Sequence, residues 1–399
     1  MNPDLGRIYL DNASTTPLDP RVFERMRPYL TENFGNASSI HSFGQQTKDA
    51  LEDARERVAK LLGALPSEIF FTSGGTESDN LALKGVSMAW VRAAKYAHRP
   101  HRIISSQLEH KAVLESLAWL ESFFGIKVLY VQHDSNGRFD LNHLQALLHQ
   151  GVGQEQTLVS LMHANNELGN LNPIAEIAAI AKQHGALFHT DAVQTAGKLH
   201  FNVEALGVDL LSLAAHKFHG PKGVGVLYVQ TGTPFESLFH GGNHERNRRA
   251  GTENYAAAIG LAEALTISLA ESESTTIHVA RSRELFLTCL AEAGLSYALN
   301  GDAGNQLPHI VNLSFAESVK DLDGDMLLLG LDAGGLAVSS GSACTSGTAK
   351  PSHVLMALGR SEAEARASVR FSFSKFTSEA EVRRAAQVLE NVLTRFAAA

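Results

Sequence analysis

Short β-rich runs alternate with longer helical patterns between about residue 65 and residue 230, and this alternation most limits the folds open to the chain. The runs "EIFFTS", "RIISSQ", "KVLYVQ", "TLVSLMH" and "ALFHTD" read as strands, and patterns such as "KAVLESLAWLESFF" and "PIAEIAAIAKQHG" read as the helices between them. Strands that alternate with helices form a mostly parallel sheet covered on both faces. The sequence therefore predicts an α/β fold with its ligand site at the carboxyl ends of the strands.

The pattern changes after residue 255. A long helix pattern, "YAAAIGLAEALTISLAES", is followed by the strand-like runs "HIVNLSF" and "SVRFSFS" and by a closing amphipathic helix. We expect a large domain over residues 16–260 and a smaller α+β domain formed by residues 1–15 together with 261–399. In the smaller domain, residues from about 334 to 352 are rich in Gly, Ser, Ala and Thr, a composition that favours a mobile loop.

Charge and hydropathy exclude several classes of protein. The formal net charge of −8 argues against a nucleic-acid binder, which would usually be basic. The chain contains no run of 18 apolar residues, so we expect no membrane span, and its start does not read as a signal peptide. Cys289 and Cys344 are the two cysteines, too few for a disulfide framework in a chain of 399 residues. The expected compartment is the cytoplasm.

The motif "TSGGTES" follows a predicted strand and opens a predicted helix. Backbone N–H groups near Gly75 and the hydroxyl of Thr76 suit one phosphate at a helix N-terminus. The alternative is an ordinary capping turn, for which Thr76 with nearby acids would serve. A nucleoside-triphosphatase loop is excluded, because "AVQTAGKL" lacks both the first glycine and the final hydroxyl residue.

Asp191 ends one predicted strand and Lys217 follows the next, so both side chains should reach the same crevice. They could form a structural ion pair. The sharper hypothesis is a pyridoxal-phosphate site, in which a lysine forms a Schiff base and an acid pairs with the pyridine nitrogen. Gln194 and Asn166, at neighbouring strand ends, would then reach the cofactor ring.

His110 and Arg370 are open to two interpretations each. His110 begins a predicted helix in "LEHKAV" and is either a structural histidine or a ring-stacking, proton-transferring one. Arg370 lies in the alternating strand "SVRFSFS" and is either an exposed charge or a fork for a substrate carboxylate.

Cys344 lies in the polar segment "SSGSACTSGTAKPS", which suggests an exposed thiol that acts as a mobile nucleophile. The histidine pairs at 216 and 219 and at 240 and 244 have metal-like spacing, but a third ligand of matching pattern is missing. We therefore expect no resident metal.

The motifs "YLDNASTTP", "FGNASS", "TSGGTESDN", "LEHKAV", "HANNELG", "HTDAVQ", "AHKFHGPKG", "GGNHERNRRAGTEN", "SSGSACTSG" and "SVRFSFSKFT" together resemble the cysteine desulfurases of the NifS and IscS type. These are class V, fold-type I pyridoxal-phosphate enzymes, and the resemblance runs from Tyr9 to Thr377 in the family's order. The resemblance implies an enzyme that converts L-cysteine to L-alanine through an enzyme persulfide. It also implies a homodimer.

The resemblance implies a set of pyridoxal 5'-phosphate contacts. Lys217 would be the Schiff-base lysine, Asp191 would pair with the pyridine nitrogen and Gln194 with the ring oxygen. The phosphate would be held by residues from two subunits: Gly75, Thr76 and His216 from one, and Thr252 from the other.

The resemblance also implies the residues that handle the substrate. His110 would stack on the cofactor ring, and Cys344 would take the sulfur and could transiently ligate an iron–sulfur cluster. The substrate carboxylate would be oriented by three residues: Asn36, Asn166 and Arg370. The long cysteine-bearing loop matches the group that supplies sulfur to a scaffold protein for iron–sulfur cluster assembly. A selenocysteine lyase or a class V aminotransferase is the alternative on the same fold.

Two departures from the family's pattern stand out. The family usually has Ser at the position of Ala214, where the hydroxyl touches the phosphate, so the phosphate site should be one hydroxyl short. We also expect the C-terminal extension that docks a scaffold protein in IscS-type members to be absent. The sulfur acceptor itself is not indicated by the motifs.

Overall fold

The computed structural model describes residues 6–93, 101–150, 155–315, 324–340 and 351–397. The strands are β1 (Ile8–Tyr9), β2 (Ile69–Thr72), β3 (His101–Ser105), β4 (Lys127–Tyr130), β5 (Gln156–Ser160), β6 (Leu187–Asp191), β7 (Leu210–Ala214), β8 (Gly225–Val229), β9 (Ala298–Leu299), β10 (Ile310–Ser314), β11 (Leu336–Ala337) and β12 (Ser368–Ser372).

The helices are α1 (Pro20–Thr31), α2 (Ser42–Leu62), α3 (Gly75–Arg92), α4 (Lys111–Phe124), α5 (Leu141–His149), α6 (Ile174–Gln183), α7 (Val203–Leu206), α8 (Tyr255–Ala270), α9 (Ser272–Glu292), α10 (Gly324–Ala333), α11 (His353–Ala357), α12 (Glu362–Arg366) and α13 (Glu379–Ala397). Across the described ranges, no helix is both long and apolar enough to cross a lipid bilayer.

A seven-stranded sheet in the order β2-β8-β7-β6-β5-β3-β4 forms the centre of the molecule. Neighbouring strands from β7 to β4 run parallel, whereas β8 is antiparallel to both β7 and β2. The prediction of a mostly parallel α/β sheet is confirmed. The five parallel strands point their carboxyl ends towards one edge, and the turns that follow them, together with the turn after β2, carry eight of the twelve predicted site residues.

Successive residues along each central strand enter two different cores. Ile103 packs with apolar residues of α3 and α4 on one face, and Ile104 packs with residues of α2, α6 and α8 on the other. Leu158 and Val159 of β5 divide in the same way. Because both faces are covered, apolar residues follow one another in the middle of β3 and β5 instead of alternating with polar ones.

The last third of the chain forms a second core. An antiparallel sheet, β12-β10-β9, packs against α9 and α13, and β1 pairs in parallel with β11 beside it. Ile8 and Leu10, near the start of the chain, lie in this second core. Helix α8 crosses the expected domain limit at residue 260, and its apolar residues as far as Leu269 pack in the core of the large sheet. The domain limits stay a prediction.

Candidate active site

A cavity of about 330 Å³ lies at the carboxyl edge of the large sheet, where the second core meets it. Nine of the residues predicted from the sequence line it: Gly75, Thr76, His110, Asn166, Asp191, Gln194, His216, Lys217 and Arg370. The structure therefore brings together side chains from both ends of the chain and from five strand-end turns.

The turn between β2 and α3 forms one wall of the cavity. Gly74 is the N-cap of α3, with a φ of 151° that favours glycine and with no side-chain capping bond. A Cβ on Gly75 would come within 2.8 Å of the Val193 side chain, so the turn is free of side chains where it approaches β6. The capping role considered for Thr76 is not seen, and the first turn of α3 presents its N–H groups at the cavity.

The turn after β6 contributes Asp191 and Gln194. Asp191 is buried, and its Oδ1 accepts a hydrogen bond from the Val193 N–H at 2.8 Å. Burial raises the pKa of this carboxyl to about 6, although the Val193 N–H and the charge of Lys217 oppose the rise. Gln194 donates its Nε2 to the Ala13 carbonyl at 3.0 Å, and its buried Oε1 has no partner among the described residues.

Lys217 follows β7 and donates its Nζ to the Ala13 carbonyl at 2.6 Å. Burial lowers the pKa of this amine to about 8, with a further contribution from the charge of Arg370 and opposition from Asp191 and Asp11. The ion pair considered for Lys217 and Asp191 is not observed, because each group has a main-chain partner instead.

Two imidazoles border the cavity in neutral form. Burial is the main cause that lowers the pKa of both His110 and His216 to about 4, and the charge of Lys217 adds to it. His110 caps α4, and its Nδ1 accepts a hydrogen bond from the Ala112 N–H at 3.1 Å. The proton of neutral His110 is therefore on Nε2. The Nδ1 of His216 lies 3.1 Å from the Thr15 hydroxyl.

Arg370 brings a charged side chain from a strand of the second core into the site. It lies in β12, is only 2 % exposed, and so is not the surface charge that the strand pattern alone allowed. Its guanidinium donates to the Asn166 carbonyl at 2.7 Å, to Asp11 at 2.9 Å and to the Ser14 hydroxyl at 2.6 Å. These contacts fix the guanidinium plane at the cavity wall, while its buried Nε has no partner among the described residues.

Two predicted residues do not line the cavity, and the position of a third is not described. Asn36 and Thr252 are exposed and lie outside it. Cys344 falls in residues 341–350, outside the described residues. Ser339 and His353, on either side of that segment, both line the cavity.

Sequence reasoning missed a set of buried carboxyl groups around the cavity. Asp79, Glu109 and Glu167 are each at most 1 % exposed, and burial raises the pKa of all three. Glu109 accepts a hydrogen bond from the Met162 N–H at 2.8 Å, and Glu167 accepts one from the Ser352 hydroxyl. Each of these carboxyl groups belongs to a motif named in the sequence analysis. An acidic residue within a motif at a strand end was therefore the signal that could have revealed them.

Comparisons with known proteins agree with this arrangement. The sequence profile of the family described as "Aminotransferase class-V" matches residues 8–385. A relative from Dictyoglomus turgidum, "Cysteine desulfurase IscS", is 44% identical over 388 residues, which cover 97% of this chain and 95% of the relative.

Two solved structures are also similar. A "NIFS-LIKE PROTEIN" has a TM-score of 0.87 at 38% identity and covers 98% of this chain and 100% of its own. The structure "SspA in complex with cysteine" has a TM-score of 0.79 at 34% identity, with coverage of 93% and 100%.

Proposed function

The chain belongs to the class-V aminotransferase family and is a pyridoxal-phosphate-dependent cysteine desulfurase, and we propose that its cavity converts L-cysteine to L-alanine and leaves the sulfur on Cys344. The observation that carries the proposal is the meeting of Lys217, Asp191 and Arg370 in one cavity beside the ends of the segment that contains Cys344. We further propose that the sulfur passes to a scaffold protein for iron–sulfur cluster assembly, and that the enzyme works in the reducing cytoplasm.

The residues of the cavity fit pyridoxal 5'-phosphate. Lys217 would hold the cofactor covalently through its amine, and Asp191 would pair with the pyridine nitrogen. The unpartnered Oε1 of Gln194 would receive the ring hydroxyl. The N–H groups at the start of α3 would hold the phosphate together with Thr76 and His216. When bound, the cofactor supplies an electron sink for the electrons left at the substrate Cα.

The side chains of this chain then have distinct tasks. Arg370 holds the substrate carboxylate, joined by Asn166, and Asn36 would have to move into the cavity to join them. The amine of Lys217, with its pKa lowered to about 8, takes the Cα proton at neutral pH. Neutral His110 directs its Nε2 proton towards the substrate sulfur. The thiolate of Cys344 attacks that sulfur, so that an S–S bond forms as the C–S bond breaks and the C–S electron pair stays with the substrate Cβ. The proton of the substrate thiol passes to Cβ, Lys217 returns its proton to Cα, and alanine leaves with a persulfide on Cys344.

We propose that a second copy of the chain completes the phosphate site. Thr252 is exposed and lies outside the cavity of its own chain, as does Asn36. The Ser38 hydroxyl lies 3.3 Å from Nε2 of His244, so the loop of Asn36 and the loop before Thr252 form one neighbouring surface. In a homodimer this surface would supply Thr252 to the partner's cofactor phosphate.

The test is to incubate the yellow holoenzyme with L-cysteine and to measure alanine and sulfide under a reductant. The wild type should form alanine, and Cys344→Ala should lose sulfide production while keeping the visible absorbance of the bound cofactor. Lys217→Ala should lose that absorbance. Sulfide production at the wild-type rate by Cys344→Ala would overturn the role of the thiol. Faster alanine formation from L-selenocysteine would favour a selenocysteine lyase, and amine transfer to a keto acid would favour an aminotransferase.

A further inference from the structure

His353 brings a second imidazole to the wall of the active-site cavity, which it lines together with His110. It is the first residue of α11, and its Nε2 lies 2.9 Å from the carbonyl oxygen of Glu109. Because a carbonyl oxygen can only accept, the Nε2 of His353 carries a proton and donates it to this bond. The Nδ1 of the neutral ring then has a lone pair, which has no hydrogen-bond partner among the described residues.

Contacts on two sides fix the start of α11. Ser352, the N-cap, accepts a hydrogen bond from the Leu355 N–H at 3.2 Å and donates its own hydroxyl to the carboxyl of Glu167. Leu355 is fully buried in an apolar cluster with Leu108, from the turn after β3, and Leu168, from the turn after β5. The imidazole at the first position of this helix is therefore held in place at the cavity wall.

The two imidazoles of the cavity have opposite hydrogen-bonding roles. The Nδ1 of His110 accepts a hydrogen bond from the Ala112 N–H, so His110 has only its Nε2–H left to offer. Burial is the main cause that lowers the pKa of His110 to about 4, so this ring does not take up a proton at neutral pH. His353 offers a free lone pair instead. The cavity therefore contains one imidazole donor and one imidazole acceptor.

The desulfurase reaction needs such an acceptor, because the proton of the substrate thiol must leave the sulfur before it reaches Cβ. Lys217 is occupied by the Cα proton until it returns it. Glu167 already accepts the Ser352 hydroxyl, and burial raises the pKa of its carboxyl, which favours the form that holds a proton. Asp191 is assigned to the pyridine nitrogen. The imidazole of His353 has no other task.

The charged and titratable groups that share the cavity with His353 come from five parts of the fold: His110 and Lys111 at the start of α4, Glu167 after β5, Asp191 after β6, His216 and Lys217 after β7, and Arg370 in β12. The charge of a protonated His353 lowers the pKa of both His110 and Glu167. Such an effect requires that the rings of His353 and His110 lie near each other. The acceptor is therefore close to the imidazole assigned to the substrate sulfur.

We propose that His353 is a second catalytic histidine, which takes the proton of the substrate thiol on its Nδ1 and returns it to Cβ. The S–S bond forms as the C–S bond breaks, and the C–S electron pair at Cβ then forms the new C–H bond with this proton. The sulfur stays on the enzyme as a persulfide anion, and His353 ends neutral. Its Nε2–H donates to the Glu109 carbonyl in both protonation states, so the ring keeps its orientation. The inference rests on the proposed function.

The experiment compares alanine formation from L-cysteine by holoenzymes of the wild type, His353→Gln and His353→Ala. Glutamine keeps an amide N–H for the Glu109 carbonyl but has no basic nitrogen. The kcat of His353→Gln should fall about 100-fold, with KM and the visible absorbance of the cofactor unchanged. Added imidazole should raise the kcat of His353→Ala in proportion to its concentration. His149→Gln, which replaces an exposed histidine at the end of α5, is the matched control and should keep the wild-type kcat.

The apo protein gives a readout that does not depend on activity. Diethyl pyrocarbonate acylates an imidazole nitrogen that has a free lone pair. Peptide mass spectrometry of the treated apo protein should therefore find His353 modified faster than His189, which is fully buried and whose two ring nitrogens both have side-chain partners.

A fall in kcat of less than about tenfold in His353→Gln overturns the proposal. So does a loss in His353→Ala that imidazole does not reverse, because a purely structural residue would lose activity in that way. His353 that reacts no faster than His189 also overturns it. If His353→Gln does not fold, His353→Asn takes its place under the same criteria. A wild type that forms no alanine would instead refute the proposed function.

Discussion

Replacing Ala214 with serine tests where the cofactor phosphate binds. Ala214 is 1 % exposed, ends β7 and lines the active-site cavity. Its Cβ lies 3.6 Å from the point where a Cβ on Gly75 would stand, so it lies beside the first turn of α3. A hydroxyl at residue 214 would therefore extend into the same corner as the N–H groups of that turn.

The gain can be estimated from hydrogen bonds to charged groups. Such a bond contributes about 1.5–3 kcal/mol, which corresponds to roughly a tenfold to 150-fold tighter Kd. We expect the lower end of this range, about tenfold, because the new hydroxyl gives up its own hydration on binding. Titration of the apo protein with pyridoxal 5'-phosphate, followed by visible absorbance, measures the change.

Ala215→Ser is the matched control. Ala215 is fully buried and does not line the cavity, and its Cβ would stand 2.7 Å from a Cβ on Gly220. A hydroxyl there should lower the melting temperature without tightening the cofactor. Unchanged or weaker cofactor binding in Ala214→Ser, with an unchanged melting temperature, would refute the position assigned to the phosphate.

Three further predictions concern other groups of the site. Above pH 6, the free energy of unfolding of apo Asp191→Asn should exceed that of the wild type by about 2–3 kcal/mol. The difference should vanish towards pH 4, because a buried carboxyl with a raised pKa costs stability only when it is ionised. Thermal melts at several pH values check this. Arg370→Lys should raise the KM for L-cysteine about 10- to 100-fold, as lysine cannot bind a carboxylate bidentately, while cofactor absorbance stays; steady-state kinetics decide. Mixing Thr252→Ala with Lys217→Ala should restore one wild-type site per mixed dimer; cofactor retention no better than in the separate variants would contradict a role across the interface.

The residues that follow the central strands could be predicted because their placement depends on local rules. Asp191 ends one strand of a parallel sheet and Lys217 follows the next, and neighbouring parallel strands end at the same edge. The turn at Gly75 joins a strand to a helix, which is enough to orient N–H groups into the cavity. No long-range packing had to be known for these assignments.

Other features depend on contacts that no local pattern encodes. Ala13 accepts hydrogen bonds from both Lys217 and Gln194, yet it lies some two hundred positions earlier and has no functional side chain. Helix α8 is apolar on all sides, so its periodicity could not show which core it joins. The proposed position of Thr252 beside the phosphate would depend on a second subunit.

The buried charged groups of the site should couple the stability of the fold to the binding of the cofactor. Burial drives the pKa of Lys217 down to about 8 and that of Asp191 up to about 6, so both groups cost stability in their charged forms. The Oε1 of Gln194 adds the cost of an unpaired buried acceptor among the described residues. A ligand with an aldehyde, a protonated ring nitrogen and a ring hydroxyl would remove these costs one by one. The aldehyde would bond the Lys217 amine, the ring nitrogen would pair with Asp191, and the hydroxyl would donate to the Oε1 of Gln194. In the proposed site, part of the binding energy at the ring would come from relief of these costs of the apo fold, and a phosphate one hydroxyl short at Ala214 would contribute less to retention.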